Sequence, residues 1–426
     1  MRVLFVCVPH KSHVFQMVTL GWALRAAGHE VIVSSAPEPG LDIKDMTSTG
    51  LPAIQLGEIV NLAETAQESS ARRPEDSIHG SKPSQQDYAL CDTRLELELL
   101  AWAMQRSFSP DSMVTGLVEF ARSWQPDLVI WDNLMTFAGP VVARVSGAAS
   151  ARLLYCPDAV AQLTSAFHGK YSEPDPFEAV LRARFEREDL DFDQRALFGD
   201  WTISYMPPWT WHPEGSHYMH MRPLPFNGPS QVSGWLLGER PRRPRVCITL
   251  GLTSRGVHSG VPSAENLFKA VAGLEAEVIA TLPANALADL DEVPDNVRVT
   301  EFAPLNVLLG TCAAVIHHGG AGTVFSALEH GVPQIIMPTT LGNEKWWGQV
   351  AHAEGLERRG AGIHMDTRHS VNADELRDHL SQVLEDPSFR QNASRLRGEF
   401  MEIPAPSEIV PALVRLTAEY RSSSLG

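Results

Sequence analysis

Short runs of β-branched residues alternate with longer stretches of helical period along nearly the whole chain, and this alternation limits the fold more than any other feature. Residues 2–9, 29–34, 127–131 and 151–155 are apolar with no polar alternation, as expected of strands buried on both faces. Between the first two, residues 15–27 place Met17, Leu20, Ala23 and Leu24 at helical spacing and end at Gly28. Further helices are expected over 94–106, 111–124 and 135–145. A strand–helix–strand rhythm of this kind predicts an α/β chain with parallel sheets covered by helices.

The rhythm stops once. Residues 206–244 hold Pro207, Pro208, Pro213, Pro223, Pro225, Pro229 and Pro241, which forbid a long regular element. It then restarts, with strands expected over 245–250, 277–281, 297–300, 313–317 and 334–337 and helices over 265–273 and 322–330. The two openings echo each other, Arg2-Val3-Leu4-Phe5-Val6 against Arg245-Val246-Cys247-Ile248-Thr249. The expected organisation is a first domain over 1–210, a linker over 211–240 and a second domain over 241–405. Residues 406–426 are expected to form a helix packing back on the first domain, with Ile409, Leu413, Leu416 and Tyr420 on one face. Two such domains imply an interdomain cleft at the carboxyl ends of their strands, where open parallel sheets bind ligands. The polar stretch 66–87 reads as a mobile surface loop.

Composition excludes several classes of function. With 35 Lys and Arg against 51 Asp and Glu, the net charge is −16, which disfavours nucleic acid and anionic membranes as partners. No apolar run approaches the roughly 20 residues of a membrane span, and the apolar start is too short for a signal peptide. The five cysteines (Cys7, Cys91, Cys156, Cys247, Cys312) are scattered without CxxC spacing, which predicts reduced, buried thiols and a cytoplasmic protein. Despite 16 histidines, no HExxH or comparable ligand spacing occurs, so no metal site is expected.

The segment with most chemistry is Val315-Ile316-His317-His318-Gly319-Gly320-Ala321-Gly322-Thr323, a strand leading through glycines into a helix. Glycines let backbone amides approach an anion, and a helix N-terminus contributes roughly half a positive charge. Thr323 could cap the helix or meet a phosphate, and a histidine at the strand end could donate a charge-assisted hydrogen bond. A tight turn around a core histidine would use the same residues. The dinucleotide fingerprint does not fit, because this cluster lies in the second half of the chain and His318 precedes it.

At these residues the chain resembles the inverting nucleotide-sugar glycosyltransferases of the GT-B fold, especially those that add deoxysugars to antibiotic polyketides. The resemblance spans essentially the whole chain. It rests on Ser12-His13, on Gly21-Trp22-Ala23-Leu24 through Gly28-His29-Glu30-Val31, and on Asp127-Leu128-Val129-Ile130-Trp131-Asp132. It continues through Phe302-Ala303-Pro304-Leu305 and His318-Gly319-Gly320-Ala321-Gly322-Thr323 to Gly331-Val332-Pro333. Singly these motifs are weak; together they are specific. They imply two Rossmann-like domains.

The resemblance implies a role for each matching residue. His13, in the loop after the first strand, would be the general base for an acceptor hydroxyl, with Asp132 supporting its imidazole. Without it, the two would read as a solvated loop histidine and a helix cap. His318, Gly320, Gly322 and Thr323 would hold the donor diphosphate, replacing a metal ion, and Phe302, Ala303 and Leu305 would line the pyrimidine pocket. Thr253 would face phosphate or sugar. Ser326 stands where many relatives carry a glutamate for both ribose hydroxyls, which favours a dTDP donor because deoxyribose has no 2′-hydroxyl. Asn343-Glu344 replaces the usual Asp-Gln pair, as suits a deoxysugar with an amino group.

The acceptor, a polyketide aglycone, would lie in the first domain against Trp102 and Phe137, although ordinary helix packing would place the same side chains. No cofactor beyond the dTDP-sugar co-substrate is implied. The subgroup resemblance also implies a haem-monooxygenase-like auxiliary protein, and a homodimer stays open. Rival readings are a C-glycosyltransferase on a phenol, a nucleotide-sugar epimerase and a non-catalytic auxiliary subunit of the same fold.

Overall fold

The computed structural model describes residues 1–71, 93–207, 217–238, 241–251, 263–287, 290, 292–338, 348–365, 367 and 371–423. The chain divides into two compact units. The first takes 1–74, 86–226 and 404–426, and the second takes 75–85 and 227–403.

The first unit carries one parallel sheet of strands β1 (Arg2–Val6), β2 (Glu30–Ser35), β3 (Ala53–Gln55), β4 (Leu128–Asp132), β5 (Ala149–Leu154), β6 (Trp201–Ser204) and β7 (Tyr218–His220). Its spatial order is β3-β2-β1-β4-β5-β6-β7. Helices α1 (Lys11–Ala26), α2 (Ile43–Thr47), α3 (Leu62–Ala71), α4 (Thr93–Ser107), α5 (Asp111–Trp124), α6 (Gly139–Ser146), α7 (Ala159–His168) and α8 (Pro176–Arg187) connect the strands. Val3 to Val6 and every residue of β4 are buried, as a sheet covered on both faces requires.

The second unit repeats the plan with β8 (Arg245–Thr249), β9 (Glu277–Thr281), β10 (Val297–Thr300), β11 (Ala314–His317), β12 (Gln334–Ile336) and β13 (Gly362–His364), in the order β10-β9-β8-β11-β12-β13. Its helices are α9 (Ala264–Val271), α10 (Leu305–Leu308), α11 (Ala321–His330), α12 (Gln349–Arg358), α13 (Ala373–Glu385) and α14 (Pro387–Met401). Period-2 alternation sorts the strand residues between two cores. Val246, Ile248, Val278, Ala280 and Ile316 pack with Leu267 and Phe268 of α9 and Leu376 and Leu380 of α13. Cys247, Ile279 and Val315 point the other way, onto Leu308 of α10 and Ala327 of α11.

Both sheets reverse their winding at one place, between β1 and β4 in the first and between β8 and β11 in the second. In sheets of this kind, ligands bind at that reversal. Parallel pairing sets Val6 beside Trp131 in the first sheet and His317 beside Thr249 in the second. Within each sheet, the segments leaving the two paired strand ends therefore meet in space, however far apart in sequence.

Several boundaries differ from expectation. The first unit extends to Phe226 rather than residue 210, because Tyr218–His220 adds an edge strand beside β6 within the proline-rich segment. The polar stretch from residue 66 opens within a helix, α3, and its remainder from residue 72 lies outside the described residues. The last helix, α15 (Pro406–Ser423), belongs to the first unit, where Tyr420 packs on Trp201 with ring centroids 5.5 Å apart. Cys7, Cys156, Cys247 and Cys312 are buried free thiols. Among the described residues, no helix is long and apolar enough to cross a membrane.

Candidate active site

At the first reversal, α1 begins at Lys11, earlier than the sequence period suggests, because the His10 side chain accepts from the Ser12 amide and caps the helix. His13 is therefore not in a loop but in the first helical turn. Its Nδ1 lies 2.7 Å from Oδ2 of Asp132, the last residue of β4. Asp132 is wholly buried, whereas the His13 side chain keeps 18% of its surface exposed. The other carboxylate oxygen accepts from the Leu134 amide at 3.0 Å and from the Tyr155 hydroxyl at 2.7 Å. Tyr155 Oη also lies 2.6 Å from His13 Nδ1, and the two rings meet edge to face at 5.2 Å. A ring that donates from Nδ1 to this buried carboxylate leaves Nε2 free to accept a proton. Neighbouring His10 is pushed down to about 4, by burial first and then by the charges of His13 and Lys11, so it stays neutral.

At the second reversal, β11 ends at His317 and α11 starts after Gly320, with no side chain capping the helix N-terminus. Its first amides are the unmet donors that an anion satisfies. Gly319 takes φ +89, and a Cβ there would meet Ile336 at 2.8 Å, so only glycine fits. Two buried histidines fix its peptide groups. His317 Nδ1 accepts from the Gly319 amide at 3.1 Å while its Nε2 meets Gln334 at 2.9 Å. His352, on α12, donates from Nδ1 to the Gly319 carbonyl at 3.1 Å. Burial lowers His317 to about 3 and His352 to about 4, so both hold the turn as neutral rings.

His318 follows His317 and is buried too. Its ring lies where a Cβ on Gly251 or on Gly320 would fall, each only 2.5 Å from it. Its Nδ1 is buried without a hydrogen-bond partner among the described residues, and burial lowers the ring to about 4. A cradle shaped by missing Cβ atoms, beside an imidazole nitrogen with no partner among the described residues, has the chemistry to receive an anion.

Gly322 and Thr323 occupy the first turn of α11, with the Gly322 carbonyl accepting from Ser326, which is wholly buried. Phe302 exposes 39% of its surface beside buried Ala303 and half-buried Leu305. Trp102 is half-buried on α4. Phe137 corrects the acceptor-wall expectation: it is wholly buried, its ring tilted on Phe177 at 5.0 Å, and serves packing. Thr253, Asn343, Glu344 and Cys91 lie outside the described residues. Sequence reasoning missed Tyr155, His317, Gln334 and His352. Only His317 carried a signal, its place beside His318.

Residues 22–251 match the family described as erythromycin biosynthesis protein CIII-like, N-terminal domain, and residues 265–416 match its C-terminal domain. The chain belongs to this family. The CIII-like chain is 40% identical over 439 residues to aclacinomycin-T 2-deoxy-L-fucose transferase of Streptomyces galilaeus, covering 99% of itself and 97% of that protein. It is 37% identical over 431 residues to 3-alpha-mycarosylerythronolide B desosaminyl transferase of Saccharopolyspora erythraea, covering 99% of each. The glycosyltransferase VinC, solved in complex with dTDP, superposes with a TM-score of 0.82 at 34% identity, over 98% of this chain and all of that one. The CIII-like chain is a glycosyltransferase of the GT-B fold.

Proposed function

We propose that the protein moves a deoxysugar from a dTDP-sugar to a hydroxyl of a polyketide-type aglycone, with inversion at the anomeric carbon. The observation that carries this reading is the His13 Nδ1 to Asp132 contact of 2.7 Å at the carboxyl end of the first sheet. In the mechanism, Nε2 of His13 takes the acceptor hydroxyl proton as the oxygen attacks the anomeric carbon from the face opposite the diphosphate. The anomeric carbon–oxygen bond breaks, and its electron pair leaves with dTDP. Asp132 balances the imidazolium charge that forms. The diphosphate gains negative charge as it departs, and the amides opening α11, together with His318, stabilise it there.

The names of the relatives support the donor and acceptor classes, and the dTDP complex of VinC supports thymidine. Ser326 offers the ribose no carboxylate, and its hydroxyl is spent on Gly322. No metal ion is needed in this scheme, since the uncapped helix terminus and His318 face the diphosphate. The test is product analysis with dTDP-deoxysugars and aromatic or macrolide aglycones. Formation of the inverted glycoside, lost in His13→Ala, supports the reading. Turnover of a uridine diphosphate hexose with none of a dTDP-deoxysugar refutes it.

A further inference from the structure

We infer that Tyr155 is a positioning residue for proton transfer, acting through His13 rather than on the substrate. The inference rests on the reading of His13 as the base. A phenol has one proton, and Tyr155 gives it to Oδ1 of Asp132 at 2.7 Å. Its oxygen is then left as an acceptor, and the nearest donor is Nδ1–H of His13, at 2.6 Å. The Nδ1 proton is thus shared between Oδ2 of Asp132 and the phenol oxygen, both at the same edge of the ring. Two acceptors hold one tautomer and one ring orientation more firmly than a carboxylate alone. The phenol also pins the carboxylate, which accepts from Leu134 on the same oxygen.

The surroundings prevent Tyr155 from drifting. It follows directly on β5, whose last residue, Leu154, accepts from the Tyr205 amide at 2.7 Å. Cys156 accepts from Asn133 at 3.3 Å, and Asp158 caps α7 while pairing with buried Arg152. The ring itself is buried and crosses His13 at 87°. Burial, with the charge of Asp132 beside it, raises the phenol well above its ordinary range, which favours the protonated, donating form.

The test is a double-mutant cycle on turnover with His13→Ala, Tyr155→Phe and both together, with kcat referred to the fraction of protein that binds dTDP. Tyr155→Phe alone should lower kcat about 10–100-fold, the worth of a hydrogen bond to a charged group. The acceptor KM and the dTDP Kd should not move. In the His13→Ala background, Tyr155→Phe should change kcat by no more than about twofold, because the group it acts through is gone. A full His13→Ala loss with an equal, additive Tyr155→Phe loss overturns this inference alone. Undiminished turnover of His13→Ala overturns the base reading as well.

Discussion

A Cβ placed on Gly320 would sit 2.5 Å from Nε2 of His318, so the N-cap of α11 is open only because it carries no side chain. Gly320 has φ −63, so alanine there suffers no backbone strain. The methyl would instead push the imidazole off the turn. Gly320→Ala should therefore weaken dTDP binding by about tenfold or more, the loss of one charge-assisted hydrogen bond. Titration calorimetry reads this. A melting temperature that falls steeply would instead point to a folding defect.

Asp132→Asn keeps the shape of the side chain but can present an amide N–H to His13 Nδ1, favouring the wrong tautomer. The expected outcome is a fall in kcat of about 10²–10⁴-fold, with dTDP affinity unchanged. Steady-state kinetics beside direct dTDP titration separate the two.

The buried histidines predict acid sensitivity. His10, His318 and His352 are lowered to about 4 and His317 to about 3, mainly by burial. In the unfolded chain each titrates near about 6.5. Below that pH the unfolded state binds protons that the folded state refuses. Stability from these groups is thus fully present above about 6.5 and is lost as pH falls towards 4. Each contributes a slope of up to about 1.4 kcal/mol per pH unit. Urea unfolding at pH 7, 6 and 5 should show the midpoint dropping, and His352→Gln should flatten that fall by about one proton's worth.

Arg152 and Asp158 form an ion pair exposed by only 1% and 2%, and Arg152 also donates to Thr202 and Tyr218. Breaking such a pair leaves a buried charge unmet, at about 3–5 kcal/mol. Arg152→Met should lower stability by that order. Arg195→Met, which removes a pair whose arginine is 79% exposed, should cost under about 1 kcal/mol. Chemical denaturation compares them directly.

The sequence carried the sheet cores well, because runs such as Val3 to Val6 and Val246 to Thr249 are apolar enough to be strands in any context. It was silent on β3, β6, β7 and β13, which are short and owe their existence to a neighbour strand with a free edge. The start of α1 was missed because its cap is a histidine, His10, rather than the usual serine or aspartate. The glycine turn was legible from its own motif, whereas the roles of His13 and Asp132, which alone read as a loop histidine and a helix cap, were legible only through the family resemblance. Tyr155 and His352 were not. Tyr155 directly follows an ordinary apolar strand, and His352 lies 33 residues beyond the carbonyl it holds, so only the fold brings them to the site.

Because Pro404–Gly426 completes the unit that Met1 begins, the second unit is an insertion within the first. On the ribosome the inserted unit emerges whole while its host still lacks α15. Arg421 reaches the same carboxylate, that of Asp127, that accepts from the Arg2 amide. One acidic side chain thus clasps β1 to α15, two elements made far apart in time. The host can close only after translation has passed the second unit, so deletions that remove α15 should damage the unit carrying His13 and spare the one carrying His318.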